Sequence, residues 1–115
     1  MAVVFAYVTA GSEAEAARIG RALVEERLAA SVNILPGARS IYRWRGRVEE
    51  AAETVLIAKT RADRFTALSA RVRELHGYEL PCIVALRIEG GDAGYLDWIR
   101  HESLPSPAPG AAGRG

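Results

Sequence analysis

The chain has 115 residues, half of them hydrophobic and a quarter charged, and its 15 basic and 14 acidic side chains leave a net charge of +1. This composition excludes disorder over most of the length, and the near-neutral balance excludes a general electrostatic drive toward nucleic acid or an anionic membrane. A single cysteine, Cys82, excludes an internal disulfide, and a domain of this size folds without a disulfide or metal.

No run approaches the roughly 18 apolar residues of a membrane span. No basic residue precedes Arg18, so the apolar N-terminus reads as a strand rather than a secretory signal, and a cytoplasmic location is expected. Val3 to Thr9 is a β-branched and aromatic run that suits a central strand covered on both faces. Gly11 breaks it. Ser12 with Glu15 then forms a capping-box pattern, predicting a helix to about Leu28. Ala16, Ile19, Gly20, Leu23, Val24 and Leu28 share one half of its wheel, with Arg27 a misfit inside the apolar arc.

A second strand begins at Ala30, bends or bulges at Pro36-Gly37 and runs to Trp44. Gly46 turns the chain into a third strand, Val48 to Thr60, so that the two form a long hairpin. Thr60 with Asp63 repeats the capping pattern before a second helix ending near His76, with Gly77 as its C′ glycine. Cys82 to Ile88 reads as a fourth strand. Asp92 caps a short last helix holding Tyr95, Leu96, Trp98 and Ile99. From Leu104 onward the Pro, Ala, Gly and Ser composition predicts a disordered tail, placing the domain at 1–103 and the tail at 104–115. The order β-α-β-β-α-β plus a helix is an α+β, ferredoxin-like arrangement, which by itself decides no activity.

His76, Glu79 and Cys82 are an imidazole, a carboxylate and a thiol close in sequence, a donor set for a soft or borderline metal. They match no closed zinc spacing, and a satisfied core histidine is the plainer reading of His76. A buried, inert Cys82 is likewise plainer than a Cys–His nucleophile, because nothing in the pattern argues for a depressed thiol pKa. Arg39, Arg43, Arg45 and Arg47 interleave with Tyr42 and Trp44. The facing Glu49, Glu50 and Glu53 are expected to pair across the hairpin with the Arg43, Arg45 and Arg47 side, which argues against a nucleic-acid surface.

Several segments, taken together and in order, resemble one family. They are Leu28-Ala29-Ala30-Ser31-Val32-Asn33-Ile34, Pro36-Gly37, Ser40-Ile41-Tyr42, Trp44-x-Gly46, Lys59-Thr60, His76-x-Tyr78-Glu79-x-Pro81 and Tyr95-Leu96-x-Trp98-Ile99. This looks like the CutA, or divalent-cation tolerance, family, over about Val3 to Ile99. The resemblance implies a non-enzymatic homotrimer of ferredoxin-like subunits, with Tyr42 and Trp44 as interface anchors. It implies binding of copper or another divalent metal ion, with His76 and Glu79, which match the family motif, as candidate ligands and no required cofactor; Cys82, close in sequence, is the further candidate as a replacement thiol. Two positions depart from the family pattern: Ser31 stands where cysteine is usual, and Cys82 where glutamate is usual. The trimer also resembles PII signalling proteins, so the alternative is a signalling or scaffold role, with a small effector bound between subunits.

Overall fold

The computed structural model describes residues 1–105. The order of elements is β1 (Val3–Ala10), α1 (Glu13–Glu25), β2 (Ser31–Trp44), β3 (Arg47–Arg61), a 3-10 turn (Ala62–Arg64), α2 (Phe65–Leu75), β4 (Ile83–Arg87) and α3 (Ala93–Glu102). The strands form one antiparallel sheet in the order β2-β3-β1-β4. The expected α+β class and element order are therefore present. Most of the predicted disordered tail lies outside the described residues. Among the described residues, no helix is long and apolar enough to cross a membrane.

Strand alternation sorts the sheet into two unlike faces. Ala6, Val8 and Ala10 of β1 and Leu56 and Ala58 of β3 point to one side, where Ala16, Ile19 and Leu23 of α1 and Leu68 and Val72 of α2 bury them completely. On the other side α3 covers only one end, where Ile99 packs with Val3 and Ala30 and against half-buried Phe5, Ile88 and Leu96. Tyr7 and Thr9 remain half-buried and Val84 and Leu86 exposed. The expectation that β1 is covered on both faces is thus met only at the end that lies under α3.

The β2–β3 hairpin is long and stretches the molecule to 56 × 31 × 21 Å. Its register shifts between Leu35 and Ala38, as Pro36-Gly37 predicts, with Gly37 at φ 86°. At the tip Arg45 (φ 51°) and Gly46 (φ 80°) are both left-handed, the backbone a tight two-residue hairpin requires.

Three local expectations are corrected. α1 stops at Glu25, not Leu28, because Arg27 turns left-handed at φ 59°. The amides of Arg27 and Leu28 then reach back to the carbonyls of Val24 and Leu23, closing the helix end. The Arg27 side chain is no misfit, since its guanidinium donates to the Leu104 and His101 carbonyls at 2.7 and 3.2 Å.

Thr60 does not cap α2. Its buried hydroxyl donates to the Leu28 carbonyl at 2.7 Å, while Asp63 pairs with Arg61. Gly77 is not the left-handed C′ residue either. His76 ends α2 in extended conformation at ψ 143°, and the Gly77 amide donates to Glu15 instead.

Candidate functional site

The uncovered face of the sheet carries a cleft of about 730 Å³. β1 supplies its floor through Tyr7 and Thr9. The hairpin supplies one wall through Ser40, Tyr42, Trp44 and Glu53, and the loop after α2 supplies the other through Gly77, Tyr78, Glu79, Leu80 and Cys82. Residues 40, 42, 44 and 53 share this wall because Ser40, Tyr42 and Trp44 alternate along β2, and Glu53 is the register partner of Ala38 on the same face.

Glu15 joins two loops at the base of this region. Its backbone amide is capped by the Ser12 hydroxyl at 3.1 Å, as the capping pattern predicts. Its carboxylate accepts from the amides of Gly11 (2.9 Å) and Gly77 (3.0 Å), so α1 holds the loop after α2 directly. Burial raises the pKa of this carboxyl. The two amides, helped by the nearby Arg18 charge, outweigh burial and hold it below its usual value.

The three predicted ligands are placed differently from one another. His76 is half-buried behind the cleft with both ring nitrogens engaged. Nε2 lies 2.6 Å from the Thr9 carbonyl, and Nδ1 accepts from the Tyr78 amide at 3.0 Å. An accepting Nδ1 requires the proton on Nε2, so the ring offers no free lone pair unless one bond breaks. Glu79 lines the cleft and is paired with Arg45 at 2.8 Å. Cys82 lines the cleft as an exposed thiol just before β4, not as a buried strand residue. Among the described residues, no three His, Cys, Asp or Glu side chains converge as a metal centre would need. Of the expected set His76–Glu79–Cys82, two members line the cleft and the third is hydrogen-bonded behind it.

Tyr42 and Trp44, the expected interface anchors, line one wall of the cleft. Arg45 lies over the Trp44 ring at 5.3 Å while it grips Glu79. Along the hairpin it is Arg39 that pairs with Glu50, while Arg45 turns to Glu79 rather than to the expected cross-strand glutamates. Glu53 turns inward and accepts from the Tyr78 hydroxyl at 2.8 Å. Burial, then this bond and the Glu53 charge, push the Tyr78 phenol well above its usual pKa. The sequence reading left Glu53 and Tyr7 out of the site. Glu53 had a usable signal, since the hairpin register pairs it with Ala38 on the face of Ser40, Tyr42 and Trp44.

A sequence model of the CutA1 divalent ion tolerance protein family matches residues 4–102. The divalent-cation tolerance protein CutA of Thermus thermophilus is 52% identical over 96 residues, 84% of this chain and 93% of that protein. Human protein CutA is 44% identical over 95 residues, but this chain spans only 53% of its length. Among solved structures, the Thermus thermophilus divalent cation tolerance protein superposes with a TM-score of 0.85 at 50% identity, covering 87% of this chain and 97% of that one. The CutA1 structure from Oryza sativa reaches 0.88 at 38% identity, covering 92% and 97%. With nearly the whole described region matched in both sequence and fold, the chain belongs to the CutA1 divalent ion tolerance protein family.

Proposed function

We propose that this chain is a non-enzymatic divalent-cation tolerance protein that assembles as a homotrimer of ferredoxin-like subunits and takes copper or another divalent ion at the cleft. The observation that carries this reading is the cleft's chemistry. Glu53, Glu79 and Cys82 line it, and none of its described lining residues is basic. Carboxylates suit hard cations, and a thiolate suits Cu(I). One protomer offers too few converging donors, so the site is completed by apposition of a second copy.

The uncovered sheet face supports assembly. Val84, Leu86, Tyr95 and Trp98 are exposed on that side, and Ile41 and Val48 on the hairpin are 69% and 66% exposed. β2 and β4 are sheet edges with unpaired backbone groups, which self-association would cover. The cytoplasmic location belongs to the same proposal. The Archaeoglobus fulgidus relative is described as periplasmic, so cell fractionation is the direct check.

The test is titration of the purified protein with Cu(I) and Cu(II) separately, with mass determined by sedimentation. Saturable binding that weakens in Glu79→Gln for Cu(II) and Cys82→Ala for Cu(I) supports the reading. His76→Ala run in parallel separates direct ligation from loop support. Absence of tight binding by either ion favours the second reading, a PII-like signalling or scaffold trimer. That reading draws on the breadth of the cleft and its aromatic walls, which suit an organic effector.

A further inference from the structure

α3 is weakly anchored by apolar contact. It spans ten residues, too short to persist as a helix alone, and Ile99 is the one side chain it buries fully. Polar bonds supply the rest, and they concentrate at its C-terminal end. Arg27 donates to the Leu104 and His101 carbonyls. Arg64 donates from Nε to the Ser103 carbonyl at 3.0 Å and from Nη2 to the Arg27 carbonyl at 3.2 Å, tying the two arginines together. Between them the fully buried Ser103 hydroxyl donates to the Ile99 carbonyl at 2.7 Å and accepts from the Arg61 amide at 3.2 Å. Carbonyls at a helix end lack intrahelical partners, so a guanidinium there gains charge-assisted hydrogen bonds and the favourable end of the helix dipole.

Arg27 holds this position against its own backbone. Its φ of 59° is left-handed, a conformation that glycine adopts freely and an L side chain does not. A glycine would serve the turn better, so the turn does not account for an arginine. The reach to α3 does. On its outer side α3 presents Tyr95 and Trp98, stacked with ring centroids 5.8 Å apart, on the sheet face that the proposed assembly covers.

We infer that Arg27 and Arg64 are positioning residues for assembly: their clamp holds α3 against the sheet, and release of the clamp withdraws Tyr95 and Trp98 from the interface and frees a subunit. This rests on the homotrimer proposed above and adds the element that gates its dissociation. The coupling is reciprocal, so assembly in turn holds α3 in place.

The test is subunit exchange. The full chain is mixed with a heavy-isotope-labelled copy, and hybrid trimers are followed by native mass spectrometry. Arg64→Met and Arg27→Gly should each exchange about tenfold faster than wild type or more, the scale of a lost charged hydrogen bond. Arg27→Gly relieves the left-handed strain, so faster exchange there reports the lost guanidinium and not a damaged turn. Arg64→Lys, able to make one of the two bonds, should fall between wild type and Arg64→Met. Hydrogen exchange should show the Leu96 and Ser103 amides opening more readily in the clamp variants while β1 stays protected. Val72→Ala, which thins the core on the opposite side of the sheet, is the control: it lowers stability and should leave subunit exchange near the wild-type rate. Circular dichroism melts confirm that each variant is folded.

Wild-type exchange rates in the folded clamp variants overturn the inference, as does equal acceleration by Val72→Ala, and in either case the homotrimer stands. A wild-type chain that sediments as a monomer overturns the homotrimer reading and this inference with it.

Discussion

The Nε2 of His76 lies 2.6 Å from the carbonyl of Thr9, and this one bond fastens the end of α2 to the end of β1 beneath the cleft. The Tyr78 amide closes on Nδ1 from the other side. His76 thus organises the loop that carries Tyr78, Glu79 and Cys82, whatever that loop binds.

The first prediction follows from this geometry. In metal-free protein, His76→Ala removes both bonds and leaves two backbone groups without partners, a loss of about 1–3 kcal/mol. Urea unfolding without metal should show the shift. An unchanged midpoint would assign His76 to ligand binding alone.

Glu15 gives a pH-dependent prediction. Its carboxyl is held below the reference value of 4.5, so its stabilisation is present above that pH and is lost as pH falls through the folded-state pKa. Glu15→Gln should be less stable than wild type at neutral pH, and the gap should close below about pH 4.5. Denaturant curves at a series of pH values measure it. A gap that widens in acid would contradict the two-amide account.

Gly20 sits where α1 crosses the sheet, and a Cβ there would lie 2.8 Å from Val32 Cγ2 and 3.2 Å from Leu56 Cδ1. Overpacking costs about 1–3 kcal/mol. The gain in helix propensity, about 1 kcal/mol, offsets only part of this. Gly20→Ala should therefore lower the Tm in a thermal melt. A rise would show that Val32 can turn aside without loss.

The phenols should titrate far apart. The hydrogen bond from Lys59, at 2.9 Å, lowers the pKa of Tyr95 against the opposing effect of burial, and Ser31 adds to the lowering. Tyr78 is pushed up, first by burial and then by Glu53. Ultraviolet titration should show Lys59→Met raising the pKa of Tyr95 and Glu53→Gln lowering that of Tyr78. Overlapping wild-type transitions would refute both assignments.

The order of strands and helices, the bulge at Pro36-Gly37 and the Ser12 and Asp92 caps follow from local pattern. Period, turn residues and cap chemistry act over a few neighbouring residues, and the sequence displays them. Arg27, Thr60, Gly77 and His76 depended on tertiary structure. Each satisfies a backbone group or carboxylate more than 30 positions away, and no local pattern encodes such a partner. The candidate site divides along the same line. His76, Glu79 and Cys82 stood out as donor types, but only the fold decided that Glu79 and Cys82 open into the cleft while His76 is hydrogen-bonded behind it. Glu53 shares the cleft wall through its register with Ala38, and only the fold brought the Tyr78 hydroxyl to it from 25 positions away.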